Sequence, residues 1–355
     1  MLILGQNARR DAGASRYTAI RNDYREFAVT GFLEALRTVP RVDAAQWAQL
    51  SLPARWAVAA RASVLLMTFT SAALGGLLAL REPGFDAVLW ILALVGLLAA
   101  HATNNLINDY VDSARGVDRD NYYRARYGTH VLENGLLSRR AMLGYIVATA
   151  AVAVAAGAAV VWLRGGLSLP LMLAGAFFVL FYTWPLKYLG LGEPAVLAVW
   201  GPLMTGGAYY VACGAWSWPV ALLGTVYALG PTTVIFGKHI DKLPADAAKG
   251  IRTLPVILGD RQARLWVMGM IILEFLLVGA LVLADEFAWT LLLVLLNVPA
   301  ARRTMELLGA PKPAERPADY PAEVWPLWFA HHAFVLNRRF SLLFLAGLLP
   351  AVLLG

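Results

Sequence analysis

Charged residues and cysteines are both scarce in this chain. Only 15% of its residues are charged and 59% are hydrophobic, whereas soluble proteins are about 25% charged and about 45–50% apolar. The mean hydropathy is +0.60. These values exclude an ordinary soluble protein and indicate an integral membrane protein. The single cysteine, Cys213, excludes an intramolecular disulfide and a cysteine-based metal site.

Basic stretches with interleaved aromatic residues, which are typical of nucleic-acid-binding proteins, are also lacking. The formal net charge of +7 therefore does not indicate a nucleic-acid partner. In a membrane protein, an excess of lysine and arginine instead marks the cytoplasmic loops. Residues 1–55 contain no long apolar core followed by a small-residue cleavage site, so we expect no signal peptide.

Long apolar runs occupy most of the rest of the chain. The runs with the length and hydropathy of transmembrane helices lie at residues 58–80, 85–107, 141–163, 168–184, 193–213, 217–237, 263–284, 287–301 and 340–354. The eighth run is short and ends at Pro299. The sequence thus predicts an all-α polytopic membrane protein, a bundle of about nine transmembrane helices at about 20 residues each, forming one domain over residues 55–355.

Positive charges divide the connecting segments into two classes. Lysine and arginine concentrate in residues 1–54, 115–140, 238–264 and 302–339, whereas the short loops between them carry few cations. With nine spans, all four basic segments fall on one side, which the positive-inside rule assigns to the cytoplasm. We therefore expect a multi-pass protein of the inner (cytoplasmic) membrane with its N-terminus and active-site loops in the cytoplasm. Residues 1–54 are predicted to be a cytoplasmic N-terminal extension, whose scattered apolar positions fit an amphipathic surface helix.

A first acidic cluster follows the second apolar run. Asp109 and Asp112 are three residues apart, so on a helix their carboxylates share one face. Two carboxylates that close repel each other unless a cation binds them, and Mg²⁺ typically uses one or two carboxylates together with substrate phosphates. Asp118 joins this cluster only if the helix ends near Gly116. By itself, such a pair is more often a solvated helix end.

A second acidic cluster follows the sixth run. Asp241 and Asp246 alternate there with the cations Lys238, Lys242, Lys249 and Arg252. Carboxylates and cations packed together fit a metal–diphosphate complex, because the carboxylates hold Mg²⁺ while Mg²⁺ and the cations hold phosphate oxygens. A third loop, residues 182–193, contributes Lys187 between two tyrosines. Alone, that loop is equally typical of interfacial aromatic residues with a snorkelling lysine.

Several motifs occur together in one order: Asn108-Asp-x-x-Asp112 with Gly116-x-Asp118, Gly-Leu-Leu-Ser-Arg139, Tyr182-Thr…Lys187-Tyr-x-Gly-Leu-Gly-Glu193, Trp200-Gly-Pro-Leu-Met-Thr-Gly-Gly-Ala-Tyr-Tyr-Val211 and Asp246-x-x-x-Gly-x-Arg-Thr-Leu-x-Val-x-Leu-Gly259. Over roughly residues 55–300 the chain resembles the UbiA superfamily of intramembrane prenyltransferases. The branch that it is most similar to transfers prenyl groups to 1,4-dihydroxy-2-naphthoate in menaquinone synthesis.

The resemblance implies a function and a set of site residues. It implies a helix bundle around a central cavity and a Mg²⁺-dependent transfer of a polyprenyl group from a polyprenyl diphosphate to a small aromatic acceptor, within the lipid bilayer. The metal ligands would be Asp109, Asp112, Asp118, Asp241 and Asp246, of which Asp109, Asp112 and Asp246 would be catalytic. The diphosphate would contact Asn108, Lys187, Tyr182, Lys249, Arg252 and Arg61. An allyl cation could be stabilised by one of the aromatic residues Tyr110, Trp200, Tyr209 and Tyr210.

Two departures from the family pattern leave alternatives open. The family usually spaces the acids of its second motif four residues apart, whereas Asp241 and Asp246 are five apart with Pro244 between them. Either a local kink returns Asp241 to the metal, or that ligand is weakened. Lys238 and His239 stand where the naphthoate branch tends to have asparagine. The alternatives are a UbiA-type transferase with a non-aromatic acceptor, for example one moving phosphoribose to a polyprenyl phosphate, or a non-enzymatic cation-binding transporter. A transporter would place its acids near the bilayer midplane.

Overall fold

The structure of the protein is a computed structural model that describes residues 31–37, 40–116, 128–322 and 324–354. Within these ranges the chain forms helices and no strands, which confirms the predicted all-α class. The α-helices are α1 (Phe32–Arg37), α2 (Ala44–Gln49), α3 (Leu52–Ala59), α4 (Leu66–Ala79), α5 (Ala87–Ala114), α6 (Arg139–Arg164), α7 (Ser168–Phe181), α8 (Gly192–Ala198), α9 (Gly207–Cys213), α10 (Trp218–Asp241), α11 (Leu243–Ala248), α12 (Leu254–Leu258), α13 (Asp260–Leu283), α14 (Val298–Leu308) and α15 (Trp328–Leu354). The 3₁₀ segments are Ala62–Leu65, Leu186–Leu189 and Trp289–Asn297, and a π-helical segment is Val199–Gly206.

Seven helical stretches of the described chain are long and apolar enough to cross a membrane: Ala62–Ala79, Ala87–Ala114, Arg139–Arg164, Gly192–Cys213, Trp218–Asp241, Asp260–Leu283 and Trp328–Pro350. The predicted polytopic bundle is therefore confirmed, but the count of nine is not. The predicted fourth run forms the shorter apolar helix α7. The predicted eighth run is a 3₁₀ helix up to Asn297. An α-helix begins only after it, at Val298, because Pro299 suits the first turn of a new helix.

One membrane helix is broken in its middle. Between α8 and α9 the backbone is π-helical, and Gly201 leaves the helical region with φ −85° and ψ −107° just before Pro202. The broken segment packs tightly on α10, where a Cβ atom on Gly201 would lie 2.9 Å from the Cα of Thr225. Glycine is therefore required at this close approach.

The N-terminal region that the structure describes packs against the bundle. The buried Val42 and Trp47 belong to one hydrophobic cluster with Leu106 of α5 and Met142 of α6. The backbone N–H of Val42 also donates to the hydroxyl of Thr129 at 2.7 Å. Residues 40–54 thus adjoin the end of α5, where the first acidic motif lies, and the boundary predicted at residue 54 remains a prediction.

The last helix is longer than the sequence predicts. Helix α15 begins at Trp328, ahead of the predicted start at 340. Its buried Phe340 and Phe344 share a hydrophobic cluster with Leu223 of α10 and Val278 of α13. The beginning of α15 therefore lies beside the end of α10, which leads into the second acidic motif.

Candidate active site

The first acidic cluster, which is called the first acidic motif from here on, consists of Asp109 and Asp112 with Asn108 and lies at the end of α5. Asp109 and Asp112 are 1% and 4% exposed, and the helix ends before Gly116, whose φ is +69°. The Nη2 atom of Arg61 lies 3.2 Å from Oδ1 of Asp109 and 3.4 Å from Oδ1 of Asn108. Because the helical repeat places both aspartates on one face, both carboxylates are buried at the same end of the bundle. Asp118 lies outside the described residues.

Arg61 is held in an unusual backbone conformation. Its φ of +54° and ψ of +53° lie in the left-handed region, between α3 and the 3₁₀ segment. A residue with a side chain rarely adopts this conformation, and such backbone strain clusters at functional sites. Here the break in the helix directs the guanidinium toward the first motif, where Nη2 also donates to the carbonyl of Asn105 at 3.2 Å.

The loop after α7 brings a lysine to the same carboxylates. The Nζ atom of Lys187 donates to Oδ2 of Asp112 at 2.9 Å. Burial alone would lower the pKa of Lys187, but the charge and hydrogen bond of Asp112, together with Tyr182 and Asp246, outweigh it and raise the pKa of the amine above its usual value. Lys187 therefore stays protonated at any physiological pH. Asn108 supports this loop by donating to the Thr183 hydroxyl at 3.3 Å.

The second acidic motif contributes one carboxylate to this region. Asp246 of α11 is 3% exposed, and its Oδ1 lies 3.1 Å from Nζ of Lys242. The charge of Asp246 also acts on Lys187, whose nearest carboxylate belongs to Asp112. The structure thus brings the two motifs together around Lys187.

Asp241 faces a different partner. Its Oδ1 and Oδ2 accept hydrogen bonds from the backbone N–H groups of Phe329 and Ala330 at 3.1 and 3.0 Å. These two groups belong to the first turn of α15, whose N–H groups have no partner within the helix. Asp241 thus caps α15 from outside, and Lys312 lies 3.9 Å from its Oδ1. The geometry therefore argues against the expectation that Asp241 binds the metal.

The remaining candidates fall into two groups. Tyr182 interacts electrostatically with Arg61, Lys187 and Asp112, which places its side chain among the site residues. Lys249 and Arg252 have exposed side chains, so their contact with diphosphate stays a prediction.

Gly190 lets the loop that carries Lys187 lie directly on α12, which follows the second motif. Its φ is +74°, and a Cβ atom there would lie 3.6 Å from Cα of Leu254 and 2.5 Å from Cδ1 of Ile257. A side chain at this position would therefore meet α12 and also strain the left-handed backbone.

A buried pair that the sequence does not predict joins the two loops. Nδ1 of His239 lies 2.5 Å from Oε1 of Glu193, and Oε2 of Glu193 accepts from the backbone N–H of Leu254 at 3.4 Å. Glu193 is 1% and His239 is 5% exposed. Both residues stand within the motifs discussed above, but only the fold brings α8, α10 and α12 together. The imidazole at 239 is thus a partner of Glu193.

The residues present fit a Mg²⁺ ion. Oδ1 of Asp112 and Oδ2 of Asp246 are buried and have no hydrogen-bond partner among the described residues. Buried carboxylate oxygens without partners are costly, and a hard cation that prefers oxygen ligands would satisfy them. Within the described ranges, no three acidic, histidine or cysteine side chains already converge on one metal-sized point. Each acid is instead held by a cation, as Arg61–Asp109, Lys187–Asp112 and Lys242–Asp246.

The described chain combines a bundle of apolar helices with two acidic motifs and several cations at one polar site. This combination defines a class of membrane-embedded enzymes that handle diphosphates. The comparison with protein families agrees: the UbiA prenyltransferase family matches residues 66–319, so the chain belongs to this family. It is an intramembrane prenyltransferase, and the transporter alternative is set aside.

Similar proteins support the assignment. UbiA prenyltransferase domain-containing protein 1 of Gallus gallus is 27% identical over 242 residues, which are 66% of this chain and 70% of that protein. The 1,4-dihydroxy-2-naphthoate octaprenyltransferase of Escherichia coli (strain K12) is 26% identical over 229 residues, 61% of this chain and 72% of that protein.

Solved structures share the fold. A UbiA homolog from Aeropyrum pernix K1 in its apo form has a TM-score of 0.59 at 19% identity, covering 81% of this chain and 97% of that one. A UbiA homolog from Archaeoglobus fulgidus bound to GPP and Mg²⁺ has a TM-score of 0.51 at 16% identity, covering 80% and 97%.

Proposed function

We propose that this protein catalyses Mg²⁺-dependent transfer of a polyprenyl group from a polyprenyl diphosphate to an aromatic acceptor of the 1,4-dihydroxy-2-naphthoate type. The observation that carries the proposal is the meeting of Asp112, Asp246 and Lys187, with one buried oxygen on each carboxylate lacking a partner in the described structure. A site with open carboxylate oxygens beside fixed cations suits a diphosphate that arrives with a metal ion. The family relationship and the Mg²⁺ and GPP in the A. fulgidus homolog support the same substrates.

The residues have separate tasks in this reaction. Asp109, Asp112 and Asp246 would hold Mg²⁺. The sequence motif Gly116-x-Asp118 adds Asp118 to these proposed ligands. When bound, the ion neutralises negative charge that develops on the departing diphosphate. Lys187 and Arg61 supply fixed positive charge to the same oxygens, which favours ionisation of the allylic C–O bond.

Trp200 is the aromatic residue best placed to face the resulting allyl cation. Its Nε1 donates to the Thr68 hydroxyl at 3.2 Å, and its ring lies 5.8 Å from that of His101, two turns before Asp109 on α5. Trp200 thus lies beneath the first motif, where its π face can stabilise a cation.

Two of the tyrosines that the sequence also suggested, Tyr209 and Tyr210, lie elsewhere, whereas the third, Tyr110, packs against the hydrophobic cluster of the N-terminal region. The hydroxyl of Tyr209 donates to Glu82 at 2.7 Å, and that of Tyr210 donates to the carbonyl of Gly165 at 3.4 Å. Glu82 and Gly165 belong to the short loops that lie between membrane helices on the side away from the acidic motifs. Tyr209 and Tyr210 therefore stabilise that opposite end of the bundle.

The acceptor is the finer part of the proposal. The naphthoate acceptor is supported by the similarity to the E. coli enzyme and by the Gly116-x-Asp118 and Tyr-Tyr-Val stretches. Cations at the site can also bind an acceptor carboxylate, which 1,4-dihydroxy-2-naphthoate carries. The alternative, transfer of phosphoribose to a polyprenyl phosphate, uses the same cations for a second phosphate.

We further propose that the protein lies in the inner membrane with this site on the cytoplasmic side, because the basic segments share that side.

A bacterial strain that lacks its own naphthoate prenyltransferase tests the acceptor. Expression of this chain should restore demethylmenaquinone, measured by mass spectrometry, and the Asp246→Asn variant at equal membrane abundance should not. In parallel, purified protein is incubated with several polyprenyl diphosphates and an acceptor panel. Turnover of another acceptor without restoration in the cell would leave the prenyltransferase in place and refute the naphthoate acceptor.

A further inference from the structure

Lys242 forms an ion pair with Asp246, and the reaction described above gives this lysine no role. Lys242 is the C-cap residue directly after α10, where its N–H donates to the carbonyl of Lys238 at 3.2 Å, and the N–H of Asp246 donates to the carbonyl of Lys242 at 2.9 Å. These backbone hydrogen bonds fix the i, i+4 register in which the ammonium meets Oδ1 of Asp246 at 3.1 Å. The position of Lys242 is therefore built into the fold.

Burial distinguishes this pair from an ordinary surface pair. The side chains of Lys242 and Asp246 are 10% and 4% exposed, whereas those of the i, i+4 pair Arg302–Glu306 are 80% and 62% exposed. Removing two charges from water is expensive, so a buried pair adds little stability by itself. A functional task for the ammonium explains why such a pair is kept.

The second motif cannot supply a second carboxylate. Both oxygens of Asp241 accept backbone N–H groups of α15, so Asp246 is its one acid directed toward the site. Oδ1 of Asp246 is held by an ammonium, and Oδ2 is the single buried oxygen that remains. A dication at Oδ2 with no other protein ligand would be repelled by the ammonium on the same carboxylate.

We propose that Lys242 is the resident cation of the second acidic motif and takes the place of a second divalent metal ion. The protein then binds one metal ion per diphosphate, held by Asp109 and Asp112 together with Oδ2 of Asp246, and the Lys242 ammonium contacts the diphosphate directly. This inference rests on the proposed function, because it concerns the same diphosphate site. The same inference explains why the carboxylate of Asp241 points toward α15 instead of the site, and why a lysine lies four residues before Asp246.

Metal counting tests the inference without reference to turnover. The full chain in detergent is loaded with Mn²⁺, a paramagnetic substitute for Mg²⁺, and with the unreactive analogue geranyl thiolodiphosphate. Equilibrium dialysis gives the number of Mn²⁺ ions per chain, and electron paramagnetic resonance shows whether two ions are coupled. The original chain should retain one uncoupled Mn²⁺ ion, and the Lys242→Asp variant should retain two coupled ions, because it gains a carboxylate and loses the ammonium.

Two further variants separate the ammonium's own role from folding. Lys242→Met should still bind one Mn²⁺ ion but bind the analogue at least about 10-fold more weakly, the loss of a charge-assisted contact worth about 1.4 kcal/mol or more. Arg302→Met, the matched change in the exposed pair, should alter neither value. Two Mn²⁺ ions on the original chain, or one on a Lys242→Asp chain with a normal unfolding midpoint, would overturn the inference. Analogue binding without any Mn²⁺ would instead overturn the proposed Mg²⁺-dependent function.

Discussion

Asp241 offers the sharpest test of how the second motif is built. Its carboxylate accepts two backbone N–H groups at 3.1 and 3.0 Å and is 2% exposed. If the cap is its role, replacing it should lower the stability of the protein and leave metal binding intact. If it is a metal ligand, the reverse should hold.

The expected size follows from these contacts. A hydrogen bond to a charged group contributes about 1.5–3 kcal/mol, and loss of a helix N-cap costs about 0.5–2 kcal/mol. Asp241→Ala removes both bonds, so we expect a loss of about 2–4 kcal/mol in unfolding free energy. Asp241→Asn keeps an amide oxygen that can still accept an N–H, so we expect a smaller loss of about 1–2 kcal/mol.

Thermal unfolding and Mg²⁺ titration of activity, run on the same preparations, separate the two roles. At about 2–4 °C per kcal/mol, a loss of about 2–4 kcal/mol in Asp241→Ala should lower the apparent midpoint by about 4–16 °C. The Mg²⁺ concentration for half-maximal rate at a temperature where both chains are folded should be unchanged. Asp246→Asn is the comparison at the other acid and should raise this Mg²⁺ concentration, whatever its effect on the unfolding midpoint.

One result would refute this reasoning. If Asp241→Asn raised the Mg²⁺ requirement as far as Asp246→Asn does, while the unfolding midpoint stayed at its original value, the carboxylate would be a metal ligand. The contacts to Phe329 and Ala330 would then not describe the working enzyme.

Three other predictions concern the site and its orientation. Asp112→Asn and Asp246→Asn should each lower the rate by about 100- to 1,000-fold, the usual loss for a key electrostatic group, at a temperature where both variants are folded. A loss below tenfold in prenyl-transfer assays would contradict their roles. Removal of divalent ions with a chelator should abolish prenyl transfer, and added Mg²⁺ should restore it; activity that persists in the chelator would exclude a metal-dependent reaction. Reporter fusions after residues 125 and 250 should both give a cytoplasmic signal, and a periplasmic signal from either one would contradict the proposed topology.

The sequence alone established the class of protein and the first motif. Few charges and long apolar runs are properties of composition, and they require a membrane environment whatever the packing. The spacing of Asp109 and Asp112 is equally decisive, because the helical repeat depends on local backbone geometry and puts both on one face of α5. The end of that helix before Gly116 also follows from a local property, the ease with which glycine adopts a positive φ.

The second motif and the helix count were decided by tertiary structure. The carboxylate of Asp241 binds N–H groups that come from Phe329 and Ala330, far along the chain, so no local pattern could show its direction. The same packing pairs Asp246 with Lys242 and His239 with Glu193. Hydropathy measures how apolar a segment is, but whether an apolar segment becomes a full α-helix, a short helix or a 3₁₀ segment depends on the neighbours against which it must pack.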